Sequence, residues 1–345
     1  MNKSQTKVSC REWGEYFGSK VYLFKLENAN GAYIELTNYG ATLVSAVVPD
    51  NQNKYDNVVL GYTSLAGYIA DECYMGATIG RFANRTGGAK FTMDGVIYKL
   101  DANDGANSNH GGFAGFHAKV FDHKITDEGI SFTLHSADGD GGYPGNLHLV
   151  VNYRWTDDNE LYISYQATSD KKTVANFTNH AYFNLSAKGD GIFDHSLKVY
   201  ADTLLEVDAG YIPTGEIKTA GNKALTGEIM LGKIIADGVK TGFNDCYILK
   251  NVDNNVLKPA AKLTENTSGR KLEVFTTYPS VMVYTGDYLD CKPHGNFLRP
   301  YQPFDGLCLE CQYYPDSPNH ANFPSTILLP GDVYQETIVY KFGTV

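Results

Sequence analysis

Residues 147–165 read LHLVVNYRWTDDNELYISY, and their alternation decides the fold. Leu147, Leu149, Val151, Tyr153 and Trp155 recur at every second position, with His148, Asn152 and Arg154 between them. In a strand successive side chains point to opposite faces, so this spacing predicts one buried and one solvated face. Residues Thr156 to Asn159 are turn formers, and beyond them Leu161, Ile163 and Tyr165 alternate again. The segment therefore predicts a β-hairpin.

The same grammar extends outward in both directions. Strand-like runs lie at Lys271 to Thr276, Val281 to Thr285 and Gln335 to Phe342. Asn30-Gly31 and Asp94-Gly95 are residue pairs favoured in two-residue hairpin turns, where both central residues need positive φ. Helical periodicity is nearly absent. No linker rich in Pro, Ser or charge interrupts the pattern and no fixed-period repeat is found, so residues 1–345 are expected to form one all-β domain, a large antiparallel β-sandwich. A barrel or two packed sandwiches would give a similar pattern.

The chain has 43% hydrophobic and 20% charged residues, enough to build a core without disulfide or metal staples. A formal charge of −10 and the lack of any Lys/Arg block argue against nucleic acid or an anionic membrane as partner. A neutral small molecule fits better. The six cysteines are scattered rather than densely framed, which suits a reducing compartment. With no signal-like or membrane-spanning apolar run, the expectation is a cytoplasmic protein, or an exported one already processed.

Three segments carry titratable residues in unusual company. Glu310 interrupts the apolar strand of residues 307–312, where a carboxylate needs partners or a raised pKa. His180 interrupts another strand-like run and shares a face with Tyr182; His110 lies in the polar run before Gly111-Gly112. Each has an ordinary reading, as a satisfied strand residue or a plain loop histidine. Arg81 and Arg85 either bridge sheet edges or hydrogen-bond a polyhydroxyl ligand. The long polar segments Asp101 to His117, Ser136 to Gly145 and Gly286 to Asp305 exceed hairpin length and are candidate binding loops.

Other motifs are set aside. Cys308-x-x-Cys311 has redox or zinc spacing, yet it lacks a second pair and encloses Glu310. The stretch from Asp138 to Gly142 starts like a calcium loop, but its twelfth position is Leu149, and it reads as a turn. No Gly-rich loop runs from strand into helix, so the usual dinucleotide and phosphate signals are missing.

Taken in order, ATIGRFANR (77–85), NHGG (109–112), DGGYPG (140–145), TNHAYFNL (178–185), LEVFTTYPSVMVYTG (272–286), LECQ (309–312) and a LLPGDVY ending resemble the aldose 1-epimerase (galactose mutarotase) family over essentially the whole chain. The resemblance implies a galactose mutarotase-like β-sandwich isomerase that interconverts the α and β anomers of free hexoses such as galactose and glucose, without cofactor; no metal is expected, and monomer and homodimer both stay open. By motif, Glu310 is the expected general base and His180 the general acid, with Glu310 ionised and His180 protonated at rest. Asn84, Arg85, His110 and Tyr182 fall at expected sugar-contacting positions.

Two departures from the family pattern stand out. Asn244 occupies the place of a sugar-binding aspartate, with Asp245 one residue later; either Asn244 makes the contact or a bulge brings Asp245 in, and the gapless match favours Asn244. Tyr278 stands where relatives often carry Gln, so a sugar is expected to stack on it. The alternatives to an isomerase are a non-catalytic carbohydrate-binding sandwich and a mutarotase for hexose 6-phosphates, which needs added cationic residues. A glycoside hydrolase fits less well, since only one carboxylate is in the motif set.

Overall fold

In the computed structural model, residues 6–236, 242–250 and 256–345 are described. The 147–165 segment is a hairpin of strands Leu147–Trp155 and Glu160–Ser169, turned at 156–159 and paired with Leu147 opposite Ser169 and Trp155 opposite Leu161. All five alternating apolar residues of the first strand are buried. This hairpin supplies the third and fourth strands of a nine-stranded antiparallel sheet, in which Glu160–Ser169 pairs with the C-terminal strand Tyr334–Thr344 and that strand with Arg270–Thr276.

A six-stranded antiparallel sheet faces it across the core, with Leu307–Gln312 between Tyr182–Phe183 and Ser280–Tyr284, followed by Asn244–Ile248. Val151, Tyr153, Ile163 and Tyr165 from the large sheet share one apolar cluster with Val281, Val283, Leu307, Leu309 and Cys311 from the smaller one. Residues 7–57 add a five-stranded antiparallel sheet. The architecture is an antiparallel β-sandwich, as the alternation implies.

The two Gly-containing turns differ. Asp94 and Gly95 have φ of 51° and 77° and join Lys90–Met93 directly to Val96–Lys99, a two-residue turn with both central φ positive. At Asn30-Gly31 the connection is longer: five residues, 28–32, separate Ser19–Glu27 from Tyr33–Thr37, and only Gly31 has positive φ. Asn28 accounts for the extra length, because its side-chain oxygen accepts from the amides of Asn30 and Ala32 and so builds a wider loop.

The strand Leu307–Gln312 is buried on both faces. Leu307, Leu309 and Cys311 enter the main core, while Cys308 and Glu310 point the other way, Cys308 into a second apolar cluster and Glu310 into a pocket. The apolar context of Glu310 is thus supplied by neighbours that face away from it. Cys308 and Cys311 lie on opposite faces of one strand, so their spacing makes no joint site.

Candidate active site

The pocket is a polar cavity of about 220 Å3, open on one side, formed where the end of the six-stranded sheet meets three connecting segments. Its floor carries Glu310 and His180. His180 is held by its backbone, whose amide donates to Ala77 O at 2.9 Å and whose carbonyl accepts from Gly76 N at 3.0 Å. Its Nε2 lies 3.7 Å from Glu310 Oε1, with both side chains buried. The other carboxylate oxygen of Glu310 has no hydrogen-bond partner in the protein. A buried carboxyl left half unsatisfied is costly, and an incoming hydroxyl group answers that cost.

Burial moves both groups toward neutrality. It pushes the Glu310 carboxyl up to about 8, opposed in part by the positive charge of Arg85, and the His180 imidazole down to about 4. Burial thus favours a carboxylic acid facing a neutral imidazole, where the sequence led us to expect a carboxylate and an imidazolium. The physical reason is desolvation without a compensating charge in contact. Both forms carry one proton on the pair; only its position differs.

His110 is buried, contrary to its polar sequence surroundings, because Tyr74 from a distant segment covers it with ring centroids 4.6 Å apart. Asn84, in the left-handed region at φ 64°, donates its backbone N–H to Nδ1 of His110, 3.2 Å away. An acceptor Nδ1 on a neutral ring leaves the proton on Nε2. Burial holds His110 neutral, so it enters the pocket as a hydrogen-bond donor. Asn84 and Arg85 line the same wall; Arg85 Nε is fixed by Asp104 at 2.7 Å. Tyr182 also lines the pocket, its hydroxyl donating to the Cys73 carbonyl at 3.2 Å.

Asn244 faces the pocket and Asp245 does not. The strand is regular through this point, Asn244 opposite Tyr284 and Asp245 opposite Val283, so adjacent side chains diverge. Asp245 is buried and paired with Lys223 Nζ at 2.7 Å, so the alternative in which a bulge brings it to the sugar is corrected. Tyr278 is corrected likewise. It is wholly buried in the main core, its hydroxyl 2.9 Å from that of Tyr334, because it lies in the 277–279 connection that crosses from Arg270–Thr276 in the large sheet to Ser280–Tyr284 in the smaller one, at the end of that strand remote from Tyr284 and the pocket.

Of the three long polar segments, two reach the pocket: Asn109 and His110 come from the first, Tyr288 and Leu289 from the last. The segment 136–145 does not. The buried Arg81 guanidinium donates to the carbonyls of Ser136, Pro144 and Gly145, which makes Arg81 structural. Sequence reasoning missed Glu72, Cys73, Tyr74 and Tyr284. Asp71 shapes the turn at residues 71–75, which carries Glu72, Cys73 and Tyr74, by accepting from the Cys73 and Met75 amides. Cys73 is bridged to Cys291 across a Cα separation of 6.6 Å, tying the two loops that form one rim. Two of the scattered cysteines thus meet in space although 218 residues apart.

His110, His180 and Glu310 each bring a potential ligand atom within 4.8 Å of the others, as do Asp71, Cys73 and Cys291. The first set is arranged for hydrogen bonding rather than for ligation, since the Asn84 amide claims Nδ1 of His110 and leaves its other nitrogen protonated. Among the described residues no helix is long and apolar enough to cross a membrane.

Solved structures share this arrangement of sheets. An aldose epimerase homologue from C. elegans superposes with a TM-score of 0.85 at 29% identity, covering 92% of this chain and 97% of its own. A galactose 1-epimerase from Lactobacillus acidophilus gives 0.85 at 27% identity, covering 98% and 99%. The fold and site define a galactose mutarotase-like sandwich of the sugar-epimerase class. Residues 22–341 match the family described as aldose 1-epimerase. Galactose mutarotase from Bos taurus is 39% identical over 90% of this chain and 91% of its own length, and aldose 1-epimerase from Escherichia coli is 35% identical over 94% and 96%. The chain belongs to the aldose 1-epimerase family.

Proposed function

We propose that this protein interconverts the α and β anomers of free hexoses such as galactose and glucose, with Glu310 and His180 as the proton-exchanging pair. The observation that carries the reading is the 3.7 Å approach of a carboxyl oxygen to an imidazole nitrogen on the floor of a polar pocket. Ring opening needs a base at the C1 hydroxyl and an acid at the ring oxygen; rotation about C1–C2 and reclosure then need the same two groups in exchanged roles. A pair sharing one proton supplies both.

For a closed ring to open, Glu310 takes the hydroxyl proton and His180 gives one to the ring oxygen. The resting proton must therefore pass from Glu310 to His180, and a sugar hydroxyl or water entering between them provides the path. Arg85 stabilises the carboxylate this transfer leaves. On reclosure Glu310 returns a proton to the carbonyl oxygen and His180 accepts one, so the pair ends as it began. His110, as a neutral donor, and Asn84, Arg85, Tyr182 and Asn244 orient the hydroxyls.

The hexose 6-phosphate alternative is not favoured: among the described lining residues Arg85 is the one cation, with its Nε already paired to Asp104, and Arg81 is committed to backbone carbonyls. The scattered cysteines and the lack of a signal-like run support a cytoplasmic setting, and the Cys73–Cys291 bridge supports the second reading, a processed exported protein; either acts as a monomer or homodimer.

Polarimetry on freshly dissolved α-D-galactose and α-D-glucose tests the reading. Anomerisation should accelerate with the native chain, and Glu310→Gln should lose about 10² to 10⁴-fold. Sugar binding without acceleration makes the pocket a lectin site, and near-normal turnover by Glu310→Gln removes Glu310 from the chemistry.

A further inference from the structure

Cys308 stands two residues before Glu310 on the same face of its strand, wholly buried, with Tyr182 as its cross-strand partner. Its sulfur is 3.5 Å from Nδ1 of His180. The His180 ring is enclosed by Tyr182 at 5.1 Å, His110 at 5.1 Å and Tyr74 at 5.8 Å between centroids. Those rings confine the imidazole plane, and the in-plane direction is left to its two nitrogens, one toward Glu310 and one toward Cys308. The titratable groups around His180 are thus Glu310, His110, Tyr74, Tyr182 and Cys308, with His117 beyond Tyr74.

The chemistry of sulfur suits this position. A carboxylate on the rear nitrogen of a histidine stabilises the imidazolium and holds its proton. A thiol is a weak donor and a weak acceptor, so it can meet Nδ1 in either state without committing the ring to a charge. Burial keeps Cys308 protonated, as it pushes the thiol well up from its ordinary value.

We propose that Cys308 is a positioning residue for the reaction: its thiol, set against Nδ1 of His180, aims Nε2 at Glu310 and the substrate while leaving the imidazole proton free to transfer. The inference rests on the reading that His180 exchanges a proton with the sugar. It assigns Cys308 no contact with substrate.

The test compares Cys308→Ser and Cys308→Ala with Glu310→Gln in the full-length protein, following galactose mutarotation across pH together with side-chain 15N spectra of the histidines. Cys308→Ala should lower kcat by about tenfold with KM within about twofold, the size expected for one hydrogen bond acting through another group. Its pH profile should shift, and the His180 nitrogen signals should show mixed tautomers. Cys308→Ser, which restores a donor and acceptor, should recover most of the rate. If Cys308→Ala does not fold, Cys308→Ser carries the test, since its hydroxyl should displace the His180 nitrogen shifts and one limb of the pH profile. An inactive Glu310→Gln beside a Cys308→Ala enzyme of normal kcat and pH profile overturns the role of Cys308 and leaves the functional reading intact. Unchanged His180 shifts and pH profile in Cys308→Ser overturn it too. An active Glu310→Gln instead overturns the reading on which it rests.

Discussion

The amide of Asn84 and Nδ1 of His110 meet at 3.2 Å, and this one contact decides what His110 can do. With its inner nitrogen occupied as an acceptor, the buried ring is a donor at Nε2 and cannot serve as the general base. Nδ1 of His180 instead faces the Cys308 thiol at 3.5 Å, so His180 is the histidine of the two that can change protonation.

His110→Ala should therefore cost roughly 10² in kcat/KM for galactose, the scale of removing one buried donor to the reacting region. His110→Asn should recover part of it if the amide reaches the same site. Initial-rate polarimetry measures both, and equal activity of His110→Ala and the native enzyme would remove His110 from binding.

The pH dependence follows from the single proton on the Glu310–His180 pair. Burial pushes the carboxyl up to about 8 and the imidazole down to about 4. Below about 4 a second proton enters and no acceptor remains; above about 8 the last proton leaves and no donor remains. We expect kcat/KM to be flat between these limits and to fall on either side, since this parameter reports the free enzyme. A profile falling steadily between pH 5 and 7 contradicts the assignment.

Asn244 and Asp245 should separate cleanly. Asn244→Ala should raise KM for galactose by about tenfold, the effect of one lost hydrogen bond to substrate. Asp245→Ala should leave KM unchanged and lower stability by about 1 kcal/mol, because the Lys223 it releases is half exposed and regains water. Urea unfolding beside steady-state kinetics reads both quantities.

Tyr278→Phe keeps the ring in the core and removes the hydroxyl contact to Tyr334. It should cost about 1 kcal/mol in stability with no change in preference between galactose and glucose. An altered preference would reinstate Tyr278 as a substrate contact.

Cys73 and Cys291 join the loops carrying Tyr74 and Tyr288. Dithiothreitol should raise KM and lower the melting temperature, by loosening that rim and releasing a long loop in the unfolded chain. The Cys73→Ser, Cys291→Ser double variant should have the reduced enzyme's properties and no response to reductant. A native enzyme indifferent to reductant shows that the bridge does not govern the rim.

The strand pattern was legible because it is a local property. Leu147 to Tyr165 alternates with a period of two, and every alternate apolar residue is buried; the hairpin needed no information from elsewhere in the chain. Asp94-Gly95 was legible for the same reason, whereas Asn30-Gly31 was not, since the Asn28 side chain rebuilt that turn.

The site is only partly local. Glu310, His180 and His110 were conspicuous as polar residues in unusual sequence settings, and motif order with the family resemblance brought them into one site. Which neighbour faces the sugar was beyond the sequence: Asn244 and Asp245 differ by strand parity, and parity depends on whether the pairing slips. Tyr278 entered the core and Tyr74 the pocket because of contacts made across the sheets. The sequence by itself determined the alternating strands, and with them a sandwich, and it marked the carboxylate and the imidazoles. Only the tertiary structure decided their distance, their protonation and their company, because burial and the Asn84 amide act through space between segments far apart in the chain.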